Sequence, residues 1–231
     1  MALQILILTA VTLEARAVAR ALRLKRSGTH WSGDDVELHA VGIRAVRLPA
    51  ALADAPAIIL AGLAGGLDPR LRVGDIVIDA ASHPLPANPK YRLGKIHTAV
   101  SPVVTPREKA ALFQGTGAAA VEMENAAVRA ALVQRHCDTA APTSPAYLHI
   151  RAISDAAGDS IDPATIGLID ELGNPRVSAI AATLIRRPGM IKELRRLGRD
   201  ANLAAANLAA TVAEIVASGW PAPRSDGPTG V

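Results

Sequence analysis

The sequence predicts an α/β protein of three layers (α/β/α), with helices on both sides of a mixed central β-sheet. Three observations carry that prediction. Residues 3–9 and 57–61 are continuous apolar runs, the pattern of strands covered on both faces. The first of them passes through a short loop into an alanine-rich stretch of helix-forming residues, a strand–loop–helix unit. Half of the 231 residues are hydrophobic but only 2% are aromatic, so a sizeable core of Ala, Leu, Ile and Val is available. Residues 1–218 are read as one domain. From Gly219 onward Pro, Gly and Ser dominate, and 219–231 is read as a disordered tail.

Composition also excludes some functions. So few aromatics argue against base-stacking nucleic-acid modules, which need aromatic platforms. The net charge of +4 is concentrated in residues 20–26 and 186–199, which read as solvated faces or helix ends. Cys137 is the only cysteine, so no intrachain disulfide can form; it is read as a small buried apolar residue in a reducing compartment. The apolar run 3–10 has no basic leader and is too short for a membrane span or a signal peptide. A cytoplasmic protein is expected, with no nucleic-acid partner, no stable membrane insertion, no cofactor and no metal.

The elements follow in order. A strand at 3–9 leads to a helix at 12–22 with Thr12 as its cap. Ligands in open α/β sheets sit at the carboxyl ends of the strands, which places Glu14 and Arg16 near a candidate site; ordinary surface charge on a first helical turn is an equal reading. Residues 36–41 alternate as a strand, in a hairpin with the residues around Trp31 or Ile43, and His39 reads as a half-exposed strand residue rather than a ligand. A helix at 48–55 stops before Pro56. The strand 57–61 runs into a glycine loop at 62–69, whose backbone can approach a ligand closely. It lacks the Gly-Lys-Ser/Thr of a Walker loop and the glycine spacing of a dinucleotide fingerprint. Strands at 73–79 and 96–104 flank a polar loop at 82–94 that reads as a surface loop or lid. A short helix covers 106–113, with Phe113 in the core. The strand 147–154 ends at Asp155, an acid where α/β folds place function; a helix cap or a partner for Arg151 is the structural alternative. Residues 173–217 read as helices broken at Pro188, and the apolar stripe of 201–217 is core or packs a second subunit.

Val121-Glu122-Met123-Glu124 is the stretch around which these elements are organised. If the backbone is extended there, both carboxylates point to one face; if the helix has begun, they diverge. Acids at a buried strand end need partners. Interaction with the positive end of the following helix is the structural reading.

Together these motifs resemble the purine nucleoside phosphorylase and methylthioadenosine/adenosylhomocysteine nucleosidase superfamily. The resemblance rests on Ala-Gly-Leu-Ala-Gly-Gly-Leu (61–67), Val-Gly-Asp-Ile-Val (73–77), Val-Glu-Met-Glu (121–124) and Arg-Ala-Ile-Ser-Asp (151–155), in that order over most of the chain. Gly-Lys-Ile-His-Thr (94–98), Glu-Lys-Ala-Ala-Leu-Phe (108–113) and Arg-Pro-Gly-Met (187–190) are most similar to the hopanoid-associated phosphorylase branch, which implies adenine cleavage from an adenosyl-hopane lipid.

The resemblance implies a homo-oligomeric enzyme that breaks a purine N-riboside bond. Asp155 is implied as the acid that protonates the departing base, because a base leaves poorly as an anion. Glu124 is implied to grip two ribose hydroxyls, Met123 to back the sugar, and Glu122 to stand in or near the same pocket. Gly65 and Gly66 are implied to line its floor, and Val103 and Val104 the base slot. Two departures stand out. Leu13 falls where family nucleosidases carry a water-activating glutamate, with Glu14 beside it. Leu60 and Leu63 fall where family phosphorylases hold inorganic phosphate. Glu14 is therefore the candidate to activate water and Arg16 the candidate to bind phosphate. A catalytically weak nucleoside-binding protein on the same fold is the rival reading, and a phosphate-binding regulator using the glycine loop is a third.

Overall fold

The computed structural model describes residues 3–81, 84–85, 90–139 and 144–221. Its centre is a set of parallel strands. β1 (Ile5–Thr9) pairs in parallel with β4 (Val36–Ala40) on one side and β5 (Ala57–Gly66) on the other. β10 (Ala146–Asp155) continues the sheet, parallel to β5 from Ala146↔Ala57 to Asp155↔Gly65. β6 (Ile76–Ala81) runs antiparallel to β10, which makes the sheet mixed, and β7 (Tyr91–Leu93) is parallel to β6. On the other flank β3 (His30–Ser32) and β2 (Lys25–Ser27) extend from β4 as an antiparallel hairpin. The spatial order is β2-β3-β4-β1-β5-β10-β6-β7.

Alternation along the strands explains the three layers. Ile5, Ile7, Ile59, Leu148 and Ile150 face one way, against Ala15 and Val18 of α1 (Thr12–Ala21) and Ala204, Leu208 and Val212 of α5 (Met190–Ala217). Leu6, Leu8, Ile58 and Leu60 face the other way, against Val128 and Leu132 of α3 (Asn125–Thr139). Trp220, within the segment expected to be a tail, is buried in the first of these clusters. Cα partners and burial thus put every central strand between two helical layers, and the apolar runs have this cause.

Several expectations are corrected. The glycine segment is not a loop up to Gly66: β5 continues beside β10 as far as Gly65, with a register shift between Ile153 and Asp155, and pairs with β9 at Gly65 and Gly66, where the glycines admit the close approach. A Cβ at Gly66 would stand 3.1 Å from Ile153 Cγ2 and 3.2 Å from the Asp155 carbonyl oxygen. Thr12 does not cap α1; the Glu14 carboxylate accepts from Val11 N (2.9 Å) and closes the first turn instead. The helix expected at 48–55 is only a short 3-10 turn at Ala50–Ala53, hemmed by Pro49 and Pro56. The strand expected at 96–104 ends at Thr98 as β8 (Ile96–Thr98), which pairs with β9 (Ala120–Glu122). α2 (Pro106–Thr116) starts at a capping box between Thr105 and Glu108 and runs beyond Phe113 to a left-handed Gly117. α4 (Val177–Arg186) and α5 are separated around Pro188, and α5 is continuous to Ala217. The lid expected at 82–94 falls largely outside the described residues, as do 222–231 and the side chain of Cys137. Among the described residues no helix is long and apolar enough to cross a membrane.

Candidate active site

The carboxyl ends of β1, β5 and β10 meet the end of β9, which pairs antiparallel with Gly65 and Gly66. There they enclose a cavity of about 290 Å³. Its wall carries four carboxylates (Glu14, Glu122, Glu124 and Asp155) amid Val103, Val104, Met123, Ile161 and Ile166. No lysine or arginine side chain lines it among the described residues.

Glu122 and Glu124 lie on either side of the point where β9 bends into α3, and both turn to the same cation. Arg151, wholly buried on β10, donates through Nη2 to Glu122 Oε2 and lies 3.2 Å from Glu124 Oε2. The guanidinium passes over Gly62, where a Cβ would sit 2.1 Å from Nη1. Glu122 Oε2 also accepts from Glu124 N (2.8 Å) and Asn125 N (3.0 Å), and its Oε1 accepts from Thr98 Oγ1 (2.5 Å). It thus tethers the start of α3 and neutralises Arg151 together. Glu124 Oε1 accepts from Arg44 N (3.0 Å). That N–H is presented by a turn in which Arg44 and Ala45 have φ of 64° and 52°, an uncommon conformation for residues with a side chain.

Arg151 Nε donates to His149 Nε2 (3.1 Å), which requires that nitrogen to be unprotonated. Burial, with Arg151 and Arg129 nearby, holds His149 well below the usual histidine value. The 3.9 Å approach of His149 to Glu122 is therefore not an ion pair.

Glu14 is held differently. Its Oε2 accepts from Val11 N (2.9 Å) and its Oε1 from Leu63 N (2.7 Å), so it joins α1 to β5. Burial pushes its carboxyl from the ordinary 4.5 up to about 7, overcoming those two hydrogen bonds and the nearby Arg151, which favour the charged form. A carboxyl poised near neutrality at a cavity wall can exchange a proton with a bound water. Leu13, one position earlier, lines a different cleft between α1 and α5. Of the neighbours Leu13 and Glu14, it is Glu14 that lines the cavity.

Asp155 ends β10 with its carboxylate in the cavity. Its Oδ1 accepts from Ser154 Oγ (3.0 Å) and its Oδ2 from Lys109 Nζ (2.5 Å). Lys109 is wholly buried on α2, and Asp155 pairs with it rather than with Arg151.

Of the sequence-derived candidates, Glu14, Gly65, Val103, Val104, Glu122, Met123, Glu124 and Asp155 line this one cavity. Gly66 does not line it; its role is the close contact with Ile153 described above. Arg16 is exposed and lines the α1–α5 cleft with Leu13 and Arg20, on the far side of the helix from Glu14, so the structure does not bring it to the site. Leu63 lines the cavity, whereas Leu60 is core. Two cations were missed, Arg151 as the partner of both glutamates and Lys109 as the partner of Asp155. The signal for Arg151 was a charge inside a strand buried on both faces, which demands a counter-charge. For Lys109 the sequence held no such signal. Away from the cavity, His30, Glu37 and His39 bring ligand atoms within 4.8 Å of one another on the outer hairpin. There His39 is bonded to Glu37 and stacked on His30 at 4.9 Å.

No protein-family profile and no curated protein sequence matches the chain. Solved structures do. The methylthioadenosine/adenosylhomocysteine nucleosidase of Neisseria meningitidis, solved with methylthio-immucillin-A, superposes with a TM-score of 0.60 at 21% identity, covering 93% of this chain and 99% of that one. The Colwellia psychrerythraea enzyme, solved with adenine, gives 0.60 at 20% identity over 94% and 96%. Futalosine hydrolase of Helicobacter pylori gives 0.57 at 16% identity over 94% and 98%. The chain therefore has the fold of these nucleosidases along nearly its whole described length.

Proposed function

We propose that this protein hydrolyses the N-glycosidic bond of a purine ribonucleoside or adenosyl compound, with water as nucleophile. The observation that carries the reading is the charge of the cavity: four carboxylates and no lining cation among the described residues. Arg151 and Lys109 stand behind the wall and are already paired with Glu122, Glu124 and Asp155, so no lining cation is offered to a phosphate, whereas the positive charge that develops on the ribose during cleavage meets carboxylate oxygens. Glu14 takes a proton from the attacking water. The electron pair of the breaking bond goes to the purine, and Asp155 gives a proton to a purine ring nitrogen. Glu124 accepts hydrogen bonds from the ribose hydroxyls, and a carboxylate left unpaired by a deoxy sugar disfavours that substrate. Val103, Val104 and Met123 supply the apolar surface for base and sugar. The fold shared with nucleosidases supports this reading.

The test is adenine release from methylthioadenosine, adenosylhomocysteine, futalosine-type nucleosides and an adenosyl-hopane lipid, each with and without inorganic phosphate. Release without phosphate, with ¹⁸O from labelled water entering the sugar, is expected. Asp155→Asn is expected to lower kcat about 10²- to 10⁴-fold. Release that depends on phosphate would replace hydrolysis by phosphorolysis, and tight nucleoside binding without release would leave only a binding protein.

A further inference from the structure

Among the described residues Lys109 is the one lysine that stands with the largest fully buried side chains, and the hydrolysis outlined above makes no use of it. An ammonium is costly to bury, and this one is fully matched. Nζ donates to Asp155 Oδ2 (2.5 Å), to the Ala156 carbonyl (2.8 Å) and to the Asp159 carbonyl (3.1 Å), so its three protons have three acceptors. Among the charged groups around it, Asp155 is the carboxylate at its tip. The Asp159 carboxylate is turned to Ala156 N (2.7 Å) and lies 3.7 Å from Arg196 of α5. Glu108, beside Lys109 on α2, is engaged by the Thr105 cap.

A charge so placed has a specific consequence for proton transfer. On the reading that Asp155 protonates the leaving base, Asp155 acts in its acid form. It passes its proton to the purine nitrogen as the glycosidic bond breaks, and becomes a carboxylate. Lys109 Nζ donates to Asp155 Oδ2 and so faces the carboxylate on which the negative charge appears. We propose that Lys109 is a positioning residue that orients Asp155 and stabilises the carboxylate formed as the purine is protonated. An ammonium that holds the carboxylate left by this proton transfer favours the transfer step itself, and so bears on kcat more than on KM.

The inference rests on the proposed hydrolysis, and one set of assays separates the two. In Lys109→Met, kcat for adenine release is expected to fall roughly 100-fold with KM within about threefold. Cleavage of 4-nitrophenyl riboside, whose phenolate departs without a proton, is expected to fall by less than about threefold. Equal losses on both substrates would reduce Lys109 to a structural strut and overturn the proposal. Should Lys109→Met fold poorly because Asp155 is left unpaired, Asp155→Asn with Lys109→Met removes both charges. Adding the lysine change to Asp155→Asn is expected to alter adenine release by less than about threefold, since the two act through one step. A full further loss in that background would equally overturn it. A wild-type protein that cleaves neither substrate would instead refute the hydrolysis itself.

Discussion

Glu14 offers the most quantitative check, because its environment ties stability and rate to the same proton. Its carboxyl is raised from 4.5 to about 7 by burial. At about 1.4 kcal/mol for each tenfold change in proton affinity, this corresponds to about 3 kcal/mol. The folded protein holds the proton more tightly than the unfolded chain. The stabilising contribution is therefore complete below about pH 4.5 and is lost as pH rises through about 7. Glu14→Gln carries no such dependence. It has its own constant cost, because one of Val11 N and Leu63 N must face an amide NH₂ instead of an oxygen. Between about pH 5 and pH 8 the stability of the variant relative to wild type should thus rise by about 2.5 kcal/mol, or about 5–10 °C in Tm for a chain of this size. Thermal unfolding of both proteins across that range reads the difference directly. The rate should move in the opposite sense: wild-type adenine release increases with pH through about 7 as the base ionises, and Glu14→Gln loses about 10²- to 10⁴-fold along with that rise. A Tm difference that stays constant from pH 5 to 8 would refute the burial argument, whatever the rates show.

Two further predictions concern the scaffold behind the cavity. Gly62→Ala would put a Cβ 2.1 Å from Arg151 Nη1, and the guanidinium is locked between Glu122 and Glu124. A loss of about 1–3 kcal/mol is expected by denaturant titration, with weaker binding of nucleoside analogues; unchanged stability would mean that Arg151 has room to move. Arg151→Met leaves Glu122 and Glu124 buried without their cation. It should cost about 3–5 kcal/mol in the same titration, and a cost below about 1 kcal/mol would show that the cluster is not held by charge.

The layers were legible because burial on two faces leaves a mark on composition. Residues 3–9, 57–61 and 147–154 read as strands and are strands, and the acid at the end of the last one reaches the cavity as the α/β rule expects. Elements whose shape is set by neighbours were misread. The helix at 48–55 had the right residues but is confined to one turn between Pro49 and Pro56, and the glycines at 62–66 looked like a loop until β10 and β9 were placed beside them. The stretch 121–124 drew attention correctly, yet its local pattern could not tell whether the two acids converge.

What the sequence by itself determined was the set of apolar faces and the presence of acids at strand ends, since both follow from periodicity along one chain. Only the tertiary structure decided which charges meet. Arg151 joins Glu122 and Glu124, Lys109 joins Asp155 across 46 residues, and Glu14 rather than Leu13 enters the cavity. Those pairings depend on desolvation and on angles fixed by packing between distant segments, and neither quantity is written in local order of residues.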